Sequence, residues 1–517
     1  VEVGTPGQKF SVVADTGSNT LIVPSCICQQ AGYCTTLDPC FTGTNKSSTF
    51  SLIKEQGRPM SAILSFGSGQ IQGVIARDKV RVGGLRTSMD KGLLLMTAKA
   101  LNFKGSFQGI LGLGIPGKKE VPKQHQRQHP QAGQPGGAKK IIDYIKKIMG
   151  QGGGGVPMGG VPMGGLQTDG MAWEDGRPLS TAVSRHPPSF LEQAGVTSFG
   201  ICFNEGSNGV LRLGMPTDSS VPVHTSVGVF HWGLGLDGIS VAGAQGGAVP
   251  LEVCSGKRMR PGQDTACGAI PDSGTTMITG PAEGVAQLLD SLCDRWPRCR
   301  ANHTALTRAA KAAEGAAAKI YGFSPFNFQS MAKSAVLKLL LNDCEAWLDD
   351  SVGLSEMPAL HFHIAGARGT KQTLEMPASA YVMERSLPSN ISTPSAKLSP
   401  KEVALRKAWF NMTNGRNKVC TPAFGALEYD TAKNGPVWIL GTPFFYEFNV
   451  GYDLSTTPPS LSLKPTKDAP CGGCDGNVGL VSEAAELQRG AGAGRRHRPL
   501  PVEGEPRAPS FDVGVPL

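Results

Sequence analysis

Aromatic residues make up only 6% of this chain and charged residues only 18%. So little charge argues against long solvated helices and coiled coils, and favours many short strands joined by turns. No apolar run approaches the length that spans a bilayer, so the sequence offers no membrane segment. The net charge of +9 is modest for 517 residues. Its basic residues are scattered or fall in stretches that read as loops and tail, leaving no compact footprint for nucleic acid. There is also no initiator methionine and no signal peptide. The sequence opens at Val1 and is expected to be a fragment, so the missing leader says nothing about destination.

What is abundant points one way. Glycine (68) and proline (38) punctuate the chain, which is long enough for more than one lobe. Thirteen cysteines could serve metal, redox chemistry or disulfides. Four glycosylation acceptors, at Asn45, Asn302, Asn390 and Asn411, favour an oxidising, secretory setting and hence disulfides. Cys26, Cys28, Cys34 and Cys40 lack the paired Cys-x-x-Cys halves of a zinc site, so local disulfides are the better reading. Cys471-Gly472-Gly473-Cys474 has redox spacing but no strand-helix context, and a local disulfide is expected there. His361 and His363 share a strand face. With no third ligand nearby they are read as surface histidines, and no metal is expected.

Along the chain, residues 63–71 form a hairpin with a Gly-Ser-Gly tip, and residues 75–82 alternate into a second turn at Gly83-Gly84. Residues 107–114 are a glycine-studded buried strand. Residues 117–187 are low-complexity sequence with Gly-Val-Pro-Met twice, in which 139–149 is expected to form a short basic amphipathic helix, docked on its own protein in preference to the alternative of a membrane or partner contact. A short helix is expected at 189–194 and strands at 201–203 and 210–213. A strand pair follows through 232–234 and 239–241, then helices within 293–348, and strands at 358–364 and 376–383. Beyond Lys464 the chain is Gly-, Pro- and Arg-rich and is expected to be a disordered tail.

Two stretches repeat a pattern that carries chemistry. Val12-Val13-Ala14-Asp15-Thr16-Gly17-Ser18 runs from apolar residues into an acid flanked by hydroxyls and a glycine, and Ala269-Ile270-Pro271-Asp272-Ser273-Gly274-Thr275 does the same. Each is followed by an Ile-Leu-Gly triplet, at 110–112 and 439–441, which suggests a duplication. The second interval is longer because helical and glycosylated stretches are inserted within it. Two carboxylates that meet across a lobe interface cannot both ionise easily, so they share one proton. The charged partner can deprotonate a water held between them, and the protonated one can hydrogen-bond the carbonyl under attack. No covalent intermediate, metal or cofactor is needed.

With these motifs the chain resembles the pepsin-like aspartic endopeptidases. The likeness covers most of residues 1–116 and 188–463 and includes Gly4-Thr5-Pro6, Thr279-Gly280-Pro281 and Trp438-Ile439-Leu440-Gly441. The cysteine cluster looks closer to plant and protist members. The resemblance implies a mainly β, bilobal fold with the cleft between two related lobes. The first lobe would span 1–218 with its 117–187 insertion, the second 219–463 with insertions within 293–345 and 384–415, and the tail 464–517. It implies that Asp15 and Asp272 are the catalytic pair and that Ser18 and Thr275 bond their outer oxygens. Thr16 and Ser273 would brace the loops, with Gly17 and Gly274 allowing close approach. Phe66, Gly67 and Ser68 would form the flap, and disulfides would join Cys254 to Cys267 and Cys344 to Cys420.

Three departures stand out. Phe66 replaces the usual flap Tyr, Ile22 replaces a Trp, and Pro271 removes a backbone donor beside Asp272. The opening strand of the first lobe is also missing. The expected function is acid-active cleavage within polypeptide substrates by a monomer in the secretory route, outside the cell or in an acidic vacuolar or lysosomal compartment. The alternative is a catalytically silent binding or inhibitor protein on the same fold. Such proteins disrupt the catalytic loops, whereas both Asp residues and all four hydroxyls are present here. A role residing in the basic insert and tail is a third possibility, tested by deleting them.

Overall fold

The computed structural model describes residues 1–35, 38–66, 69–100, 108–117, 188–204, 208–214, 220–243, 247–321, 331–348, 353–366, 369–386, 417–468 and 470–472. The chain divides into two units, Lys118–Arg185 and the remainder, and every element below belongs to the larger unit. The low-complexity stretch and its 139–149 helix, flap-tip Gly67 and Ser68, and acceptors Asn390 and Asn411 lie outside the described residues.

The fold is mainly β and bilobal in the pepsin-like manner, with two nine-stranded sheets and a five-stranded sheet. Each nine-stranded sheet contains the same triplet. In the first, Val12–Asp15 runs parallel to Gly109–Gly112, which is antiparallel to Leu21–Pro24. In the second, Cys267–Pro271 runs parallel to Gly435–Leu440, which is antiparallel to Ile278–Gly280. The five-stranded sheet mixes Ser198–Cys202, Val210–Leu213 and Val223–Thr225 with Phe448–Asp453 and Ser460–Pro465, so strands from the middle and the end of the chain are interleaved.

Side-chain alternation sorts each sheet into two apolar faces. In the first lobe Leu21, Val23, Leu93, Leu95 and Leu111 join the main core. Their neighbours Ile22, Leu94 and Ile110 form a separate cluster on the opposite face. The second lobe repeats this, with Ala269, Trp438 and Leu440 in the main core and Ile270, Val437 and Ile439 on the other face. Sheets buried on both sides explain why these strands read as continuous apolar runs.

The hairpin expected over 63–71 is formed by Ser61–Phe66 and Gly69–Val82, and the next turn leads into Leu85–Lys99. The helical region consists of Ala282–Arg295, Pro297–Tyr321 and Lys333–Asn342. A disulfide from Cys293 to Cys299 spans the corner of the first two. Among the described residues, no helix is long and apolar enough to cross a membrane.

Three expectations need correction. The strand pair through 232–234 and 239–241 is one strand, Leu234–Val241, with a register shift between Leu236 and Gly238. The run 376–383 is not one strand. Lys371–Met376 ends before Pro377, whose fixed φ suits the entry to a helical turn, Ala378–Tyr381, and Val382 resumes extended structure. The chain is also ordered beyond the expected start of the tail. A strand reaches Pro465, and Cys471 is bonded not to Cys474 but to Cys202 in the five-stranded sheet. Arg212 and Asn204 fasten the same segment by donating to the carbonyls of Cys471 and Gly472, at 2.5 and 2.9 Å.

Candidate active site

Asp15 ends its strand opposite Gly112, and Asp272 follows Pro271, which lies opposite Leu440. The Asp272 N–H donates to Leu440 O at 3.0 Å, and Asp15 O accepts from Leu113 N at 2.7 Å. The glycines of the two Ile-Leu-Gly triplets let the following chain cross each loop. A Cβ on Gly112 would lie 2.3 Å from Thr20 N, and one on Gly441 would lie 2.2 Å from Met277 O.

Both carboxyl groups are completely buried. Their hydrogen bonds match atom for atom. Gly17 N donates to Asp15 Oδ1 and Gly274 N to Asp272 Oδ1, each at 2.9 Å. Ser18 Oγ donates to Asp15 Oδ2 and Thr275 Oγ1 to Asp272 Oδ2, each at 2.5 Å. The two groups face each other closely enough that a Cβ on Gly17 would lie 2.8 Å from the Asp272 carboxyl carbon and both its oxygens.

Burial, and then the neighbouring Asp272 charge, push the Asp15 pKa well above the usual carboxylate range, against the pull of Ser18 and Gly17. The near symmetry of the donors makes the retained proton a property of the pair.

Thr16 and Ser273 lock the loops together. Thr16 Oγ1 donates to Pro271 O at 2.9 Å and accepts from Ser273 N at 3.0 Å. Ser273 Oγ donates to Ala14 O at 2.7 Å and accepts from Thr16 N at 3.2 Å. Each loop thus holds the backbone of the other.

Pro271 fits without loss. Asp272 directs its N–H towards Leu440, so the preceding residue would direct its own to the opposite edge. There the antiparallel ladder has already ended at the Leu234–Ala269 pair. The Pro271 carbonyl does extra service, accepting from Tyr452 Oη at 3.2 Å as well as from Thr16.

That contact reveals residues the sequence reading missed. Tyr452 stacks on Phe199 at 4.6 Å and meets Trp232 edge-on at 4.9 Å. Trp232 Nε1 donates to Leu113 O at 2.9 Å. This aromatic group backs both loops, with Tyr452 touching the strand before Asp272 and Trp232 the strand beside Asp15. Burial pushes the Tyr452 phenol well above its usual pKa, so it remains a donor. The only available signal was the scarcity of large aromatics, 6 Trp and 7 Tyr, in which each one is a candidate anchor.

Ile22 is fully buried in the second-face cluster with Ile71, Ile75 and Leu94. Phe66 ends its hairpin strand. Cys26–Cys40, Cys28–Cys34, Cys254–Cys267 and Cys344–Cys420 are all joined. His363 is half-buried rather than a free surface group, with Ser240 Oγ at 2.9 Å and Thr373 Oγ1 at 3.1 Å from its two nitrogens. Asn45 and Asn302 are exposed. Among the described residues no group of three or more metal-ligating side chains is assembled.

The chain is similar in sequence to known aspartic proteases. The family model for eukaryotic aspartyl protease matches residues 1–129. Aspartic proteinase oryzasin-1 of Oryza sativa subsp. japonica is 38% identical over 123 residues, 22% of this chain and 21% of the relative. Pepsin A of Rhinolophus ferrumequinum is 24% identical over 289 residues, 56% of this chain and 55% of its own. Phytepsin of Hordeum vulgare is 26% identical over 304 residues, 56% of this chain and 44% of its own. The chain therefore spans about half, or less, of the length of the curated relatives it matches.

Proposed function

We propose that the chain is a member of the pepsin-like aspartic protease family and an acid-active endopeptidase cleaving within polypeptides, a reading supported by its likeness to aspartic proteases. The observation that carries the proposal is the facing of two fully buried carboxyl groups, each held by one backbone N–H and one hydroxyl. Two identically solvated acids in one site retain a single proton. The ionised member takes a proton from a water as its hydroxide oxygen bonds to the scissile carbonyl carbon. The protonated member meanwhile donates to the carbonyl oxygen, forming a neutral tetrahedral diol. The protonated member then gives its proton to the amide nitrogen while the ionised member takes one from a diol hydroxyl, so the C–N bond breaks to a carboxyl and an amine and the one-proton pair is restored.

Asp15 and Asp272 are the catalytic residues in this account. Ser18, Thr275, Gly17 and Gly274 fix the carboxyl planes, and Thr16 and Ser273 fix the distance between the loops. The hairpin of Ser61–Phe66 and Gly69–Val82 is the flap. The lobes are 1–218 and 219–463, and one chain supplies both acids, so a monomer suffices. Six disulfides and two exposed glycosylation acceptors support an oxidising secretory, extracellular or acidic vacuolar setting.

Incubating the full chain with a denatured protein substrate from acid to neutral pH, with and without pepstatin, tests the proposal. Pepstatin-sensitive internal cleavage confined to acid pH is expected. Cleavage that pepstatin leaves untouched would contradict it.

A further inference from the structure

The flap hairpin rests on a surface of unusual composition. Ala62 and Leu64, the inward residues of its first strand, pack on the second-face cluster around Ile22 and Ile71. The intervening Ile63 points outward and is 59% exposed. The same cluster contains fully buried Cys28 and partly buried Cys34, which are joined to each other. The seat of the hairpin is therefore an apolar cluster of Ile22, Leu94, Met96 and Ile110 in which the Cys28–Cys34 disulfide is also a member.

As a chain constraint this disulfide is redundant. It closes a separation of only 6 residues. The backbone already closes that turn through Tyr33 N and Cys34 N donating to Cys28 O at 3.0 and 3.1 Å. Cys26–Cys40 encloses it from outside. A disulfide acts as a constraint mainly on the unfolded chain, and a loop this short, already enclosed by the covalent Cys26–Cys40 link, leaves little freedom there to remove. What this disulfide adds is rigid sulfur, half of it fully buried, in the cluster on which the hairpin packs. Interior packing is dense enough that the hairpin must follow the shape it meets.

We propose that Cys28–Cys34 and Ile22 are positioning residues that seat the flap, and so govern how tightly extended polypeptide is held rather than how fast the held bond breaks. The inference rests on the endopeptidase reading for its kinetic part and on packing alone for its structural part.

The test compares the full chain with Cys28→Ala/Cys34→Ala, which removes both partners and so creates no new free thiol, and with Ile22→Val, which removes one methyl group and keeps the strand. Cys202→Ala/Cys471→Ala serves as a remote-disulfide control. Amide hydrogen exchange over residues 61–75 is measured beside KM and kcat for a peptide substrate. Hairpin exchange should speed up about 10-fold or more in the first variant and less in the second, while residues 12–15 and 109–112 hold their protection. KM should rise about 5–10-fold with kcat within about twofold, and the control should leave hairpin exchange and KM unchanged. Unchanged hairpin exchange in both variants, loss of protection spread evenly over the lobe, or faster exchange with an unchanged KM each overturns the inference. If the unmodified chain cleaves nothing, the endopeptidase reading fails, and hairpin exchange alone decides the seating.

Discussion

Thr16 and Ser273 allow the coupling between the lobes to be measured. In Thr16→Val the shape is kept and one hydroxyl is lost. The Pro271 carbonyl loses a bond of 2.9 Å but keeps Tyr452 as a donor. The Ser273 N–H loses its acceptor at 3.0 Å and stays buried. One net hydrogen bond costs about 1 kcal/mol and a stranded buried N–H about 1–3, so the variant should lose about 2–4 kcal/mol. Ser273→Ala strands Ala14 O and Thr16 N in the same way and should cost a similar amount. The double variant should cost about 1 kcal/mol less than the two singles together, because the Ser273 N–H to Thr16 Oγ1 and Thr16 N to Ser273 Oγ bonds belong to one network. Urea unfolding followed by tryptophan fluorescence provides the assay, with Trp232 buried behind the loops as a local reporter. Strict additivity, with each single variant costing below about 0.5 kcal/mol, would refute the claim that the two loops hold each other.

Four further outcomes follow from the same contacts. Gly17→Ala puts a methyl 2.8 Å from the Asp272 carboxyl group, so kcat/KM should fall at least about 100-fold while circular dichroism stays native. Asp15, with its pKa raised by burial and by Asp272, stabilises the fold fully below the ordinary Asp range and loses that contribution as pH rises through the raised value. The thermal midpoint should therefore decline from acid towards neutral pH, and Asp15→Asn should flatten the decline. His224 acts in the other direction: burial holds its pKa below 6.5, so its contribution is present above that pH and is lost as pH falls through the lowered value. His224→Gln should lessen acid sensitivity in the same scan. Removing the Cys202–Cys471 tie, whose separation is 269 residues, should cost about 3–5 kcal/mol in reversible unfolding, far more than removing Cys28–Cys34.

The site was legible in the sequence because its chemistry is local. Asp, hydroxyl, Gly and hydroxyl must follow one another for a carboxyl group to receive its N–H and O–H donors, and each Ile-Leu-Gly must supply a glycine where two chains cross. The backing of the site was not legible. Tyr452 lies 181 residues from Pro271, and Trp232 lies 119 residues from Leu113, so nothing short-range links them. Spacing along the chain pairs Cys471 with its nearest cysteine, whereas the fold brings Cys202 to it from the five-stranded sheet. Proline at 377 was the missed local signal, since it ends one strand and opens a helical turn where an apolar run had suggested continuous extension. Alternation at Ile22 was visible, but that its face meets the 61–82 hairpin was not, because the cluster draws on Cys28, Ala62 and Leu64, which are distant in sequence.

The central claim is that Asp15 and Asp272 work as one proton-sharing pair. Its most direct test is the acid-pH hydrolysis of one peptide by the full chain, Asp15→Asn and Asp272→Asn, each shown to be folded by circular dichroism. Both substitutions should abolish cleavage to the same extent, each by at least about 1,000-fold, because the single carboxyl group left cannot be base and acid at once. Substantial cleavage by either folded variant would contradict the account.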